Sequence, residues 1–194
     1  METAPPDLLA PLPWPLRTDR LVLRRLGDGD AERLWEHRGL PEVSRWLGGA
    51  SGSLEDHVEF FADPRRVAQT LVVEHDGAVV GDLYVNVMDG WAQREVAAVA
   101  VRCQAEIGWT LNPAAQGRGL GTEAVRALLE VCFSPAPSGL GLRRVVAECF
   151  ALNEPSWRLM ERVGMRREHH AVRESLHRDL GWVDGYGYAL LAEE

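Results

Sequence analysis

The residues that first invite a chemical reading are 112–124, NPAAQGRGLGTEA. Gly117, Gly119 and Gly121 stand at alternate positions, with Arg118 among them and Gln116 just before. An apolar, strand-like run precedes the stretch and a helix-like run follows it. Glycine lets backbone N–H groups converge where a Cβ would block close approach. A helix start adds unpaired N–H groups and a partial positive charge. Together they form an anion site suited to phosphate or pyrophosphate, and Arg118 adds a full charge. The plain alternative is a tight strand-to-helix connection that binds nothing.

Two familiar phosphate loops are excluded. The nucleoside-triphosphate loop needs GxxxxGK followed by Ser or Thr, and that pattern is absent. The dinucleotide fingerprint GxGxxG, counted from Gly117, meets Thr122 where its third glycine belongs. The stretch also lies mid-chain rather than at a first strand–helix turn. A nicotinamide-dependent reductase is therefore a distant reading.

Other chemistry-bearing residues yield less. The three cysteines, Cys103, Cys132 and Cys149, include no CxxC, and each lies in an apolar segment. They read as buried free thiols of a reducing compartment. Neighbouring His169 and His170 would point to opposite faces of a strand, so they form no metal chelate and no metal is expected. The formal net charge of −8 argues against non-specific binding to nucleic acid or anionic membrane. No uncharged apolar run approaches the ~20 residues that span a bilayer. No secretory signal is visible. A cytoplasmic protein is expected.

The elements that position the glycine stretch follow from pattern. Of the 194 residues, 46% are apolar and 26% charged, the balance of an ordinary globular domain. Residues 1–15 carry five prolines and suggest an extended or disordered lead-in. A strand is expected around Leu21, Val22 and Leu23. A helix follows, capped by Asp28 or Asp30. Ser53 and Asp56 resemble a capping box for a second helix, ended by Asp63-Pro64. The runs 70–75 and 78–87 flank Asp76-Gly77, a type I′ hairpin signal. Further strands are expected at about 95–102 and 105–111. A helix with Val125, Leu128, Leu129 and Cys132 on one face comes next. Then follow a strand at 143–150, a short helix at 153–164, and strands at about 166–174 and 182–191. The pattern is one α/β domain, with hairpins early and helices between the later strands.

The segment Gln116-Gly117-Arg118-Gly119-Leu120-Gly121 resembles the Q/R-x-x-G-x-G coenzyme A loop of the GNAT superfamily, the acetyl-CoA-dependent N-acetyltransferases. The segments TDRLVLRRL (18–26), EIGWTLNPAAQGRGLGTEA (106–124), NEPS (153–156), ERVGM (161–165) and WVDGYGYALL (182–191) are similar to the branch that acetylates ribosomal-protein N-termini. The likeness covers about residues 16–192. It implies an N-acetyltransferase domain over 16–194. It also implies a twisted, mostly antiparallel sheet of about seven strands, flanked by about four helices and splayed between its fourth and fifth strands.

The resemblance further implies acetyl-CoA as co-substrate. Its pantetheine arm would pair with backbone at Trp109, Thr110 and Leu111, and its pyrophosphate would sit on the N–H groups of Gly117, Arg118, Gly119, Leu120, Gly121 and Thr122, with Gln116 a further coenzyme-binding residue. Asn153 matches an Asn that contacts the arm. An N–H near Leu111 would polarise the thioester carbonyl. An alkyl amine arrives protonated and must lose a proton before it attacks. Glu106 matches the family's base, and alternation sets it with Gly108 and Thr110; a surface glutamate is the bland reading. Ser156 is the candidate acid, or else a helix cap. Many relatives carry a tyrosine acid seven residues after the Asn; here that position is Met160, which donates no proton. For the acceptor amine, the candidates are Trp46, Trp91, Trp182, Asp184 and Tyr186, with packing as the alternative for the tryptophans. The acceptor is a protein N-terminus or a small cationic amine, and a homodimer is compatible with the family. The competing class is a non-catalytic coenzyme A-binding or interaction module of the same fold, which Met160 permits.

Overall fold

The computed structural model of the chain describes residues 6–194; residues 1–5 of the expected lead-in lie outside the described residues. Backbone proximity divides the chain into two compact units. One takes in Met1–Val85 and Trp109–Ala127, the other Asn86–Gly108 and Leu128–Glu194.

The first unit starts with turns in which the Asp7 carboxylate accepts from Leu9 and Ala10 N–H. The same carboxylate pairs with Arg25 at 2.6 Å. Leu9 and Leu12 are buried. Strand β1 (Leu16–Arg17) pairs antiparallel with β2 (Leu21–Arg25). Alternation buries Leu21 and Leu23 of β2. Helix α1 (Asp30–Arg38) follows Gly29, whose φ of 76° makes the turn. Neither Asp28 nor Asp30 caps it with a side chain. Asp30 is instead buried in the first turn and bonded to Arg24. Its inner face, Asp30, Leu34 and His37, has the spacing i, i+4, i+7.

A short helix α2 (Pro41–Ser44) leads toward α3 (Leu54–Ala62). The Ser53 hydroxyl accepts from the Asp56 N–H at 3.1 Å, as a capping residue should. Asp63 ends α3 and caps α4 (Pro64–Gln69). Strands β3 (Thr70–His75) and β4 (Ala78–Met88) form the expected hairpin. Asp76 and Gly77, at φ 50° and 78°, supply the two left-handed residues of a I′ turn. Leu71, Val72 and Val73 are buried on both faces of β3.

His57 of α3 is buried between Trp35 and Phe61 rings, and its Nε2 finds no partner among the described residues. Burial, then the nearby Arg38 charge, push its pKa down to about 4. The unfolded imidazole keeps its ordinary value near 6.5, so between pH 6.5 and 4 the unfolded chain binds the extra proton. Stability should therefore fall as pH drops through that window. From pH 7 to 5 the loss should be about 2 kcal/mol, or roughly 4–8 °C in Tm. His57→Phe should flatten the dependence. A wild-type Tm equal at pH 7 and 5 would refute this reading.

Beyond β4, the expected strand at about 95–102 is a 3₁₀ helix, Arg94–Ala100. Val96 and Val99 are exposed, so the apolar run has no buried face to place in a sheet. Strand β5 (Gln104–Leu111) crosses from the second unit to the first. A 3₁₀ turn, Pro113–Ala115, leads to α5 (Leu120–Phe133). Val125, Leu128, Leu129 and Cys132 are its buried face, as the spacing predicts. Then come β6 (Arg144–Phe150), α6 (Glu154–Arg162), β7 (Arg166–His177) and β8 (Gly181–Leu191). The strand order is β1-β2-β3-β4-β5-β6-β8-β7. Among the described residues the sheet has eight strands rather than about seven because β1 adds a two-residue edge.

The fold departs from antiparallel pairing where chemistry is expected. β5 and β6 pair in parallel, and their ladder holds Gln104, Ala105 and Glu106 opposite Arg144, Val145 and Val146. β5 continues to Leu111 and β6 to Phe150 beyond that last rung. The family's fourth and fifth strands, between which the splay is expected, are β5 and β6 here.

In the first unit β4 meets β5 closely at Gly81. A Cβ there would stand 2.3 Å from the Thr110 carbonyl oxygen. Backbone cannot swing aside as a side chain can. Gly81→Ala should destabilise the protein by about 2–3 kcal/mol. Urea denaturation checks this, and a midpoint unchanged from wild type would contradict it.

Candidate active site

The glycine stretch has the backbone that an anion loop requires. Gly117 and Gly119 have φ of 72° and 78°, the left-handed region that side chains disfavour. Among the described residues, nothing lies within 4 Å of where a Cβ at 117 would stand. Residues Gln116, Gly117, Arg118 and Gly119 are exposed, while Leu120 is buried and anchors the first turn of α5. The Asn112 side chain accepts from Ala114 N–H at 3.0 Å, and Gln116 Nε2 donates to the Leu111 carbonyl at 3.1 Å. The loop is thereby fixed to the end of β5. Thr122 is buried in the first helical turn.

Neighbours of the loop add structure that spacing alone did not reveal. Glu123 accepts from the Thr18 hydroxyl, the Arg20 N–H and the Arg20 guanidinium. Burial raises its pKa, but those three donors and the Arg20 charge outweigh burial and lower it. Arg20 also donates to the Arg118 carbonyl at 2.9 Å. The Arg118 guanidinium lies 3.0 Å from His75 Nε2, and His75 Nδ1 lies 3.0 Å from the Arg20 carbonyl. Arginine only donates and a carbonyl only accepts, so His75 carries its proton on Nδ1. Two guanidinium groups thus frame the loop; the Glu123 carboxylate beside it is already paired, and the Asp76 carboxylate lies 3.4 Å from His75 Nε2. The arrangement fits a polyanionic phosphate group. Arg20 and His75 lie about 98 and 43 positions from Arg118 in the chain, which is why no local motif announced them.

In the second unit, Glu106 lies on β5 at the last rung of the parallel ladder, opposite Val146. Burial and then the charge of Glu148 raise its pKa above the ordinary value. A carboxylate raised in this way is a better proton acceptor near neutral pH. Burial pushes the pKa of the Cys149 thiol up to about 11, with the nearby Ser156 hydroxyl acting against that rise. Asn153 is the N-cap of α6 and makes no side-chain capping bond. Met160 is buried. Cys149 lies opposite Tyr186 across the β6/β8 ladder. Strand alternation therefore sets Glu106 and Glu148 on one face and Cys149 and Tyr186 on the other.

The acceptor-side candidates divide. Asp184 and Tyr186 share a cluster with His170: its Nε2 lies 2.5 Å from the Asp184 carboxylate, and its ring meets Tyr186 edge-on at 5.0 Å. The Arg173 N–H also donates to Asp184 and, with His170, lowers its pKa. Arg167 lies over the Tyr186 ring at 4.6 Å, and Trp157 meets it at 6.3 Å. Trp182 is exposed and Trp91 is 93% exposed. Trp46 belongs to the first unit, with Arg45 over its ring at 4.6 Å. His169 and His170 take different neighbours, as alternation required: the His169 ring crowds Gly187.

No helix among the described residues is long and apolar enough to cross a membrane. The family model of the acetyltransferase (GNAT) domain matches residues 20–166. The chain is 40% identical over 89 residues to the uncharacterized N-acetyltransferase YnaD of Bacillus subtilis, a match covering 46% of this chain and 49% of YnaD. It therefore spans about half the length of that relative. A GNAT-family acetyltransferase structure from Bacillus anthracis superposes with a TM-score of 0.76 at 28% identity, covering 92% of this chain and 99% of that one. Mycobacterium smegmatis RimJ in complex with CoA-disulfide shares the fold, with a TM-score of 0.70 at 24% identity over 89% of this chain and 82% of that one. With one α/β domain built on this sheet and a family match across most of its length, the chain belongs to the GNAT family of N-acetyltransferases.

Proposed function

We propose that the protein transfers an acetyl group from acetyl-CoA to a primary amine by direct attack in a ternary complex. The observation that carries this is the glycine turn. Its left-handed Gly117 and Gly119, exposed residues 116–119 and flanking Arg118 and Arg20 suit the coenzyme's pyrophosphate at the start of α5. The pantetheine arm would pair with residues 109–111, and Asn153, which makes no capping bond of its own, would contact it. The Leu111 N–H would stabilise the developing oxyanion.

Glu106 is the proposed base, supported by its raised pKa. It takes the proton from the ammonium, directly or through water; the free amine attacks the thioester carbon; coenzyme A leaves as a thiolate. Ser156 is the proposed proton donor to that thiolate, and it regains its proton from the acylated nitrogen as the neutral amide forms. No covalent enzyme intermediate is needed. Asp184 and Tyr186, with Trp46, Trp91 and Trp182, are the proposed acceptor residues. The acceptor is a protein N-terminus or a small cationic amine, drawn by the net charge of −8. The free thiols Cys103, Cys132 and Cys149 support a reducing, cytoplasmic setting.

Thiol release from acetyl-CoA, measured against peptides with free N-termini, polyamines and amino acids, tests the proposal. Amine-dependent release with at least one class is expected. Binding of acetyl-CoA without amine-dependent release from any class would favour the non-catalytic module.

A further inference from the structure

The first unit contains a buried polar cluster that the proposed chemistry does not use. Asp82 of β4, Thr110 of β5 and His37 of α1 are all buried. The Thr110 hydroxyl donates to Asp82 Oδ1 in a very short hydrogen bond. Arg38 donates to Asp82 Oδ2 at 2.7 Å. His37 Nε2 lies 3.3 Å from the Thr110 hydroxyl and 3.6 Å from Asp82 Oδ1. His37 Nδ1 is buried without a hydrogen-bond partner among the described residues.

Such a cluster is a costly way to fill a core. Desolvating a carboxylate costs several kcal/mol, which the Arg38 ion pair and the Thr110 hydrogen bond must offset. Burial alone would raise the Asp82 pKa, yet the Arg38 charge, the neighbouring His37 ring and the Thr110 hydrogen bond hold it at about 2. The other buried side chains of β5, Ala105 and Ile107, are apolar. A valine would satisfy packing at 110 equally well, so the hydroxyl and carboxylate call for another explanation.

Their position supplies it. Three consecutive residues of β4 grip the end of β5. The Val80 carbonyl accepts from the Asn112 N–H at 2.8 Å. Gly81 admits the Thr110 carbonyl where any Cβ would clash. Asp82 holds the Thr110 hydroxyl. The gripped peptide is the one that would pair with the coenzyme arm and present the Leu111 N–H to the thioester. We propose that Asp82 is a positioning residue for acetyl transfer, acting through Thr110 to fix the backbone of residues 109–111 in register for the coenzyme. This rests on the reading that acetyl-CoA pairs with β5.

Thr110→Val removes the hydroxyl at nearly constant volume, and Thr110→Ser restores it. Thr110→Ala serves where the valine variant does not fold. Two readouts are taken. In coenzyme-free protein, amide hydrogen exchange at residues 109–111 should speed up at least tenfold in Thr110→Val and return toward wild type in Thr110→Ser. In turnover, Thr110→Val should raise the acetyl-CoA KM and lower kcat, each about tenfold, with the amine KM within twofold and the serine variant within threefold of wild type. A folded valine variant with wild-type exchange at these amides, or with wild-type acetyl-CoA kinetics, overturns the inference. A wild-type protein that binds no acetyl-CoA, while the exchange effect persists, sinks the function reading and the coenzyme role with it.

Discussion

Gly119→Glu should weaken acetyl-CoA binding by about 100-fold or more. Gly119 has φ of 78°, so any side chain there is strained by roughly 1–3 kcal/mol. The strain is relieved by turning the peptide, which moves the N–H groups away from the phosphate position. The carboxylate adds repulsion. Two unit charges about 4 Å apart near a protein surface interact by about 4 kcal/mol before salt screening. Each 1.4 kcal/mol is tenfold in affinity, so 100-fold is a conservative expectation. Gly119→Ala separates the causes because it shares the backbone strain without the charge; its loss should be about tenfold. Folding is checked by circular dichroism. Wild-type affinity in a folded Gly119→Glu variant would show that the loop is only a connection.

Glu106→Gln should lower kcat by about 10²–10⁴-fold, the usual contribution of a positioned base, while leaving acetyl-CoA affinity within threefold. The amide keeps the shape but cannot take the proton. The pH profile gives a second handle. Burial and the Glu148 charge raise the Glu106 pKa above its ordinary value. A base works when ionised, so kcat should fall as pH drops through that raised pKa. Glu148→Gln removes the like charge, lowers the Glu106 pKa and should move the acid limb to lower pH. The Glu106→Gln profile should lose the limb altogether. A kcat within twofold of wild type in Glu106→Gln would assign the proton to solvent or to another group.

The parts of this fold that the sequence revealed are those with local causes. The Asp76-Gly77 turn, the Ser53 cap and the four-residue face of α5 each depend on residues within one or two turns of each other, and each stands where pattern put it. The glycine loop was legible for the same reason, since its alternating glycines and following helix start are contiguous. The 94–100 segment misled because an apolar run shows only propensity. Whether it becomes a strand depends on a partner and a buried face, which its exposed valines lack.

The supporting shell was not legible. Arg20 and His75 reach the loop from distant parts of the chain, where each alone looks like an ordinary surface charge, and they meet Glu123 in the first turn of α5. Asp82 and Thr110 meet across 28 positions, and His37 and Thr110 across 73. By residue type, Asp184 reads as a carboxylate for a cationic amine. The structure shows it already engaged by His170 and Arg173, so any amine that approaches also meets an imidazole.

Calorimetric titration of acetyl-CoA into the purified protein, with NAD as control, tests the central claim most directly. Acetyl-CoA is expected to bind with a Kd of roughly 1–100 μM, about −8 to −5.5 kcal/mol, and NAD to give no saturable heat. No binding of acetyl-CoA over that range, or equal binding of NAD, would contradict the assignment of the glycine turn to coenzyme A.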